Sequence, residues 1–538
     1  MKKNLFIISV LSILLSGCAD SYLERNPAGS TLTKSQYDKL SDKIEGSMRG
    51  VYAMLYTVSD HDEFGVRSID MYGDLLSGDM ALTSRTYGWF YTDEAMQSST
   101  YRTGYVWAYY YRMLRNVNLA ISTFKSQSTL QDTIAKYGLD GTAYKYTREE
   151  YTMAKAYAQA LAMRGYIYSR LFYLYMPSDQ AFKASEANSF KVFPLYTEDN
   201  FEKPGAFATP NEVFARIEND LTTAITYFDQ IPDSIPRESK LEIDKNVARG
   251  ILAYELLNKA YYYQAGSERN TAFTNAEKYA VEVINDGAYS ILPNSELLTT
   301  GFNNVEHSSW MWGQDVTTET AGGLASFFGQ VDIHSYSYAW AGDTKVIDLN
   351  LQNKIPKWDG RAKWFNDGKK NKKFAGCPDG KFYSAANPTS TADSDIDREW
   401  LSDNVFMRIE SMYLIAAEAK CQLGDLAGAA NYLNALTDNR LEPEYLNAAT
   451  EYAEYKTTLS DATTLIRAIE YNWRLELWGE GYGLQTLKRM VRPSQSDPES
   501  KRIRGSNHLE SKGKELNPSD QSFYFQIPSS ETTYNNNI

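Results

Sequence analysis

The chain of 538 residues is 43% hydrophobic, which suffices for a sizeable core in one large domain or several small ones. Its formal net charge is −13, and no cluster of basic residues occurs beyond the short run at 369–373, which argues against a protein that binds nucleic acid. Of the three cysteines, Cys18 follows an N-terminal apolar run, whereas we expect free thiols at Cys377 and Cys421, with a disulfide between these two as the alternative.

The first residues have the pattern of a secretory signal peptide. Two lysines precede an apolar run from Leu5 to Leu15, which is too short to span a bilayer. The ending Leu15–Cys18 resembles a bacterial lipobox. This resemblance implies a signal peptide over residues 1–17, a lipid on Cys18 and an N-terminal tether over 18–33. An ordinary signal peptide that happens to contain a cysteine is the alternative.

Helical periodicity dominates the rest of the chain, which we expect to form one domain over 34–538. Apolar residues recur at helical spacing, and the intervening stretches are rich in Gly, Pro, Ser, Asn and Asp. Helices are predicted within 34–57, 104–125, 147–176, 209–286 and 403–440. Irregular, loop-rich parts are predicted at 58–103, 287–402 and 493–538.

The helix ends carry recognisable signals. Thr209 with Pro210 predicts one helix start, and Asp244 predicts another. Gly266 and Gly424 are predicted to end helices. Alanine mixes with large residues in several helices, and small residues allow close approach of neighbouring helices. The pattern therefore predicts a mainly α fold of stacked helix pairs similar to tetratricopeptide repeats, with a large irregular subdomain that we expect to bind ligand.

No catalytic or metal-binding signature stands out. The four histidines are scattered, and neither H-E-x-x-H nor G-x-S-x-G occurs. The glycines of 479–483 are better explained by a helix end and turn than by a phosphate loop. Asp393, Asp395 and Asp397 have the spacing of a calcium loop but lack its later Gly and Glu. We expect no cofactor and no metal, and a pair of carboxylates that hydrolyses glycosides stays open as an alternative.

One loop segment, "HSYSYAWAGD" at 334–343, contains three large rings among small and polar residues. Tyr336, Tyr338 and Trp340 alternate along it. If this stretch is extended, alternate side chains share one side, so the three rings would form a single face. They either stack against a ligand or fill the core of the irregular subdomain.

Four segments together resemble the SusD/RagB-like proteins, the outer-membrane nutrient-binding lipoproteins of Bacteroidetes. The resemblance extends over essentially the whole mature chain. The segments are the lipobox followed by "DSYLERNP", the long "EEYTMAKAYAQALAMRGYIYSRLFYLYM", the pair "DNVFMRIESMYLIAAEAKCQLGD" and "AIEYNWRLELWGEGYGLQTLKRM", and the terminal "YFQIPSSETTYNNN". In the third of these, charged residues are predicted to form buried ion pairs or caps rather than to bind ligand, namely Arg408, Glu410, Glu418, Arg474 and Glu476.

The resemblance implies a binding protein rather than an enzyme. Such a protein is lipid-anchored at the cell surface, captures an oligosaccharide and delivers it to a SusC-like TonB-dependent transporter in the outer membrane. It implies stacking roles for Tyr87, Trp89, Phe327, Phe328, Tyr336, Tyr338 and Trp340, with Asp79 and Arg85 as hydrogen-bonding partners at the rim. The alternatives are a surface-anchored glycan-degrading enzyme and the same fold binding peptides.

Overall fold

The computed structural model describes residues 40–92, 96–178, 190–263, 265–382, 402–491 and 501–535. The predicted signal peptide, the lipidation site Cys18, the tether and the aspartates of 393–397 lie outside these residues. The helices up to the irregular region are α1 (Leu40–Met54), α2 (Val66–Ser77), α3 (Tyr101–Lys125), α4 (Ser128–Tyr137), α5 (Arg148–Tyr175), α6 (Pro210–Gln230), α7 (Lys245–Ala260) and α8 (Ser267–Asp286). Those that follow are α9 (Phe327–Val331), α10 (Tyr338–Ala341), α11 (Leu349–Asn353), α12 (Ile409–Gln422), α13 (Leu426–Thr437), α14 (Ala448–Thr458), α15 (Ala462–Glu476), α16 (Gly483–Met490) and α17 (Ser529–Tyr534).

Short antiparallel strand pairs accompany the helices. The strands are β1 (Val58–Asp60), β2 (Glu63–Phe64), β3 (Met80–Leu82), β4 (Trp310–Gln314), β5 (Lys345–Ile347) and β6 (Asn404–Arg408). In the described part of the chain they form the two-stranded sheets β1–β2, β3–β5 and β4–β6. The last two sheets join segments that are far apart in sequence, so they fasten the irregular region to the helices.

The long helices pack in chain order. Close contacts join α1 to α3, α3 to α5, α5 to α6, α6 to α7, α7 to α8, α8 to α12 and α12 to α13. Small residues permit this spacing: a Cβ on Gly165 of α5 would lie 2.8 Å from the Leu221 side chain of α6. The stacked array confirms the predicted mainly α fold. Every helix in the described part of the chain is too short or too polar to cross a membrane.

Local sequence fixes several helix ends as predicted. The Thr209 side chain accepts a hydrogen bond from the Glu212 amide, the Glu212 carboxylate accepts one in return, and Pro210 is the first residue of α6. Asp244 caps α7 in the same manner through the Val247 amide. The expectation for Gly266 is wrong, because α7 already ends at Ala260 and Gly266 precedes the start of α8.

Helix α2 lies within a stretch that was predicted to be irregular. All twelve of its residues are buried, including the acids Asp70 and Asp74. Arg67 and Arg170 form ion pairs with Asp70, at 3.2 and 2.6 Å. The backbone N–H groups of Gly481 and Gly483 donate to Asp74. Because partners from distant segments satisfy its polar groups, α2 is buried on all sides although its sequence has an amphipathic pattern.

The charged residues of the C-terminal signature are structural, as predicted. Glu476 accepts hydrogen bonds from Arg361 at 3.0 Å, Arg408 at 3.1 Å and Arg440 at 2.8 Å. The remaining members of the signature form further ion pairs, Arg408–Glu410, Arg489–Glu418 and Arg474–Asp79. Cys377 and Cys421 are both free thiols.

Candidate ligand-binding surface

Two segments that are distant in sequence meet where β3 pairs with β5. Leu82 lies opposite Lys345 in this ladder. Immediately beyond it, the Thr83 N–H donates to the Thr344 carbonyl at 3.1 Å, and the Ser84 hydroxyl donates to the carbonyl of Gly342 at 3.1 Å. The loop that follows β3 is therefore fastened to the residues that precede β5, and both loops carry large rings.

These loops and the turn between β1 and β2 together form a cluster of rings, which we call the aromatic surface. Tyr338 lies at its centre and is only 8% exposed. Its ring contacts Tyr87 at 5.0 Å and Trp89 at 6.4 Å between centroids, and its hydroxyl lies 2.9 Å from His61 Nδ1. The His61 ring stacks on Trp89 at 5.3 Å with an interplanar angle of 22°. The members of the aromatic surface are His61, Tyr87, Trp89, Tyr336, Tyr338 and Trp340.

The segment that carries Trp340 is helical rather than extended, and Tyr336 lies in the bend that precedes this helix. The Ser337 hydroxyl caps α10 by accepting a hydrogen bond from the Trp340 N–H at 2.9 Å. Tyr336 and Trp340 are four residues apart, and their rings lie 5.9 Å from each other. This corrects the expectation of three rings on one side: Tyr336 and Trp340 form one pair, while Tyr338 turns towards His61.

The rings of the aromatic surface differ in their exposure to solvent. Tyr87 is 50% exposed and Tyr336 is 56% exposed, whereas Trp89 and Trp340 are half-buried. Each loop therefore carries one exposed tyrosine and one partly covered tryptophan. Rings in this arrangement offer apolar faces to a ligand, and the tyrosine hydroxyls at the edge supply hydrogen bonds.

A buried lysine, Lys345, lies 5.9 Å from the centroid of the Tyr338 ring. The Lys345 ammonium donates to Gln330 Oε1 at 2.8 Å and to the carboxylate of Asp343 at 3.3 Å. Gln330 in turn donates to the His61 carbonyl at 3.0 Å. Burial lowers the pKa of Lys345, and the Asp343 carboxylate opposes that effect. This chain of hydrogen bonds links the backbone of the His61 turn to that of Asp343, in the segment that precedes β5.

Two cationic side chains border the rings. The guanidinium of Arg85 lies over the ring of Tyr91 at 3.6 Å from its centroid, and Arg85 is exposed. Lys373 donates to the Trp340 carbonyl at 2.6 Å, and its ammonium lies 6.0 Å from the Trp340 ring. These groups place hydrogen-bond donors around the rings.

Three residues that were predicted to contact ligand lie in the interior instead. Phe327 and Phe328 are 2% and 3% exposed, and Phe327 packs against Phe382 at 5.0 Å. Asp79 is also buried, where one oxygen accepts from Arg474 at 2.7 Å and the other from Arg502 at 3.4 Å. The correction has a physical cause: the partners of these side chains come from remote segments that local sequence does not reveal.

His61, Tyr91 and Lys373 are the members of this region that sequence reasoning missed. His61 is an isolated histidine in a short turn, and its partner Tyr338 lies 277 residues further along the chain. Lys373 belongs to the basic run at 369–373, which resembles an ordinary solvated loop. Within the residues that the structure describes, no group of His, Cys, Asp and Glu side chains gathers as metal ligands.

The array of helix pairs with an irregular subdomain is the architecture of the SusD superfamily. A SusD-like carbohydrate binding protein from Bacteroides vulgatus is 21% identical, with a TM-score of 0.66 over 93% of this chain and 97% of that one. A SusD superfamily protein from Bacteroides thetaiotaomicron is 18% identical, with a TM-score of 0.63 over 93% of this chain and 98% of that one. At these identities the similarity concerns the fold alone.

The amino-acid sequence matches two family models of this superfamily. The SusD family model matches residues 213–538, and a second model, described as starch-binding associating with outer membrane, matches residues 22–254. The chain belongs to the SusD family. A SusD-like protein of Bacteroides ovatus is 24% identical over 354 residues, which span 62% of this chain and 57% of that protein.

Proposed function

We propose that this protein binds carbohydrate on the aromatic surface. The observation that carries the proposal is the group of exposed and partly buried rings, Tyr87 and Trp89 against Tyr338 and Tyr336 against Trp340, on loops that hydrogen bonds fasten together. A pyranose has an apolar face of C–H groups and a polar edge. It therefore suits a ring beneath it and hydrogen-bond donors around it.

The surroundings of the rings support this ligand class. Arg85 and Lys373 offer donors to sugar hydroxyls, and Tyr338 fixes the neighbouring rings through its contact with His61. Two groups of rings, one around Tyr338 and the other formed by Tyr336 and Trp340, favour a chain of sugars over a single one. The similar Bacteroides vulgatus protein is a carbohydrate binding protein, and the family model that matches residues 22–254 is described as starch-binding, so both indicate the same class of ligand.

We further propose that the protein works at the outer membrane, anchored through a lipid on Cys18, and delivers its glycan to a SusC-like TonB-dependent transporter. The lipobox pattern and the family description support the location. The stacked helices α1 to α8 offer an extended surface for such a partner. Gentle solubilisation of cells should recover the protein with an outer-membrane barrel, and recovery of free monomer beside an expressed barrel would refute this part.

The proposed role is capture rather than catalysis. A glycan array probed with the chain from residue 19 onwards should give signals for oligosaccharides, and the same preparation should leave the bound glycan intact on prolonged incubation. A Tyr336→Ala variant should lose the array signal, whereas Tyr137→Ala should keep it, because Tyr137 is an exposed tyrosine on α4 outside the aromatic surface.

Two results would replace this proposal. Release of reducing ends, lost when one carboxylate is replaced, would make the protein a glycan-degrading enzyme. Binding to a peptide library with a blank glycan array would instead indicate the same fold with peptide cargo. In either case the Tyr336→Ala comparison shows whether the aromatic surface is the site.

A further inference from the structure

A second pocket lined by rings opens beside α3. Its volume is about 230 Å³, and it lies between α3, the loop that follows Pro194 and the C-terminal helix α17. The rings come from α3 and from the loop, and one charged residue comes from each side. We call it the α3 pocket, and its lining residues are Trp107, Tyr111, Leu114, Arg115, Tyr196, Phe201 and Glu531.

The rings of the α3 pocket are held in place. Trp107 lies 4.7 Å from Tyr111, and Tyr111 lies 5.6 Å from Tyr196 at right angles. The Tyr111 hydroxyl donates to the Pro194 carbonyl at 3.0 Å, and the Tyr196 hydroxyl accepts from the Gly205 N–H at 3.0 Å. Since both hydroxyls are already engaged in the protein, the rings offer faces and edges to a ligand rather than polar groups.

Polar recognition in the α3 pocket comes from two opposite charges. The Glu531 carboxylate accepts from Asn535 Nδ2 at 2.8 Å, and the same amide donates to the Gly205 carbonyl at 3.1 Å, so Glu531 is positioned. Arg115 is exposed and makes no hydrogen bond or ion pair with any residue that the structure describes. The pocket thus combines an apolar wall with a carboxylate acceptor and a guanidinium donor.

The α3 pocket is separate from the aromatic surface. Arg102, at the start of α3, donates to the Gly88 carbonyl and to Asp62 and so faces the aromatic surface. Tyr111 follows nine residues later, which places it about 13 Å further along the helix and on the opposite side. A single sugar ring therefore cannot contact both.

We infer that the α3 pocket binds one neutral pyranose ring. Its volume is below the roughly 300–1,000 Å³ that accommodates drug-sized ligands, so it holds one small ring rather than an oligosaccharide. Phe201 and Tyr196 present apolar surface to the C–H face, while Arg115 and Glu531 form charge-assisted hydrogen bonds with hydroxyls. A net charge on the sugar would attract one of these groups and repel the other. The α3 pocket uses residues other than those of the aromatic surface, so the two proposals can be tested independently.

The test uses methyl pyranosides of glucose, galactose and mannose as probes in saturation-transfer NMR titrations of the whole protein from residue 19. The background is Trp89→Ala, which removes one ring of the aromatic surface, and the Arg115 and Phe201 variants then assign the remaining binding to the α3 pocket. At least one probe should bind in this background, and Arg115→Ala or Phe201→Ala should weaken it about tenfold, within the range for loss of a stacking face or a charged hydrogen bond. Arg112→Ala is the matched control, because Arg112 is an exposed arginine of α3 outside the pocket. This variant should bind the probe with the same affinity as the Trp89→Ala background.

Three outcomes would overturn the inference: no probe binds in the Trp89→Ala background, binding persists unchanged in Arg115→Ala, or methyl glucuronide or glucosamine binds more tightly than the neutral probes. Arg115 is exposed, so its variant folds even if Phe201→Ala does not. The result is distinguishable from that of the proposed function, because a blank glycan array with intact probe binding would reject the aromatic surface and keep the α3 pocket.

Discussion

Replacing Glu476 by glutamine removes one negative charge from a fully buried cluster and leaves its shape almost unchanged. Glu476 accepts from Arg361, Arg408 and Arg440. The cluster contains four bases and four acids, namely Arg361, Lys381, Arg408, Arg440, Asp359, Glu410, Glu476 and Glu480. Its charges therefore balance in the native protein, and Glu476→Gln leaves one uncompensated positive charge in the interior.

The expected cost follows from burial. Loss of one partner from a buried ion pair destabilises a protein by about 3–5 kcal/mol. The entropy of unfolding of a domain of this size converts roughly 1 kcal/mol into a shift of about 1 °C. Glu476→Gln should therefore lower the Tm by about 3–5 °C at pH 7.

The pH dependence provides a second readout. Burial raises the pKa of Glu476, but Arg440, Arg408 and Arg361 outweigh burial and hold the pKa well below its ordinary value of 4.5. A depressed pKa contributes stability above pH 4.5, and that contribution is lost as the pH falls towards the native pKa. The difference in Tm between the native protein and Glu476→Gln should accordingly become smaller below pH 4.5.

Thermal melting followed by circular dichroism at pH 7 and at pH 4 measures both effects. Glu444→Gln is the control, since the side chain of Glu444 is 81% exposed and its ion pair with Lys363 lies at the surface; its Tm should match that of the native protein. An unchanged Tm for Glu476→Gln would refute the structural role assigned to this cluster. A difference in Tm from the native protein that is larger at pH 4 than at pH 7 would also refute it.

Three further predictions use other parts of the chain. Burial raises the pKa of Glu255 to about 7, so the free energy of unfolding of the native protein should fall between pH 4.5 and 7. Relative to the native protein, Glu255→Gln should therefore become more stable over that range by on the order of 3 kcal/mol, and a constant difference in stability would contradict this. Phe327→Ala should destabilise the protein by about 3–5 kcal/mol without changing glycan affinity, and weaker binding by a stable variant would return Phe327 to the ligand site. Cys18→Ala should abolish acyl labelling and membrane association, and persistence in salt-washed membranes would exclude the proposed anchor.

Local signals were sufficient to predict much of the helical array. The Thr209 cap, the following proline and the apolar periodicity act within a few residues, so a sequence contains them in full. Helix α2 was not predicted although its apolar residues recur at helical spacing, because its acids indicate an exposed loop and the partners that allow their burial lie far away in the sequence. Asp74, for example, is satisfied by the backbone of Gly481 and Gly483, some 400 residues away.

The same distinction applies to the candidate site. The excess of rings at 336–340 in a polar loop indicated a functional segment, and the structure keeps Tyr336 exposed. Which rings face solvent depends on tertiary contacts: Tyr338 turns towards His61, and Asp79 lies between two arginines from the end of the chain. No spacing rule relates such partners. Sequence alone therefore could not show that Asp79 is buried whereas Arg85 is exposed.

The central claim is that the aromatic surface binds glycan, and Trp340→Ala tests it most directly. Trp340 is half-buried and pairs with the exposed ring of Tyr336. Calorimetric titration with the glycan that gives the strongest array signal should show a loss on the order of 1–3 kcal/mol, by analogy with base stacking, with little change in Tm. Tyr137→Ala should bind as the native protein does. Unchanged affinity together with a large fall in Tm would assign Trp340 to the core and contradict the account.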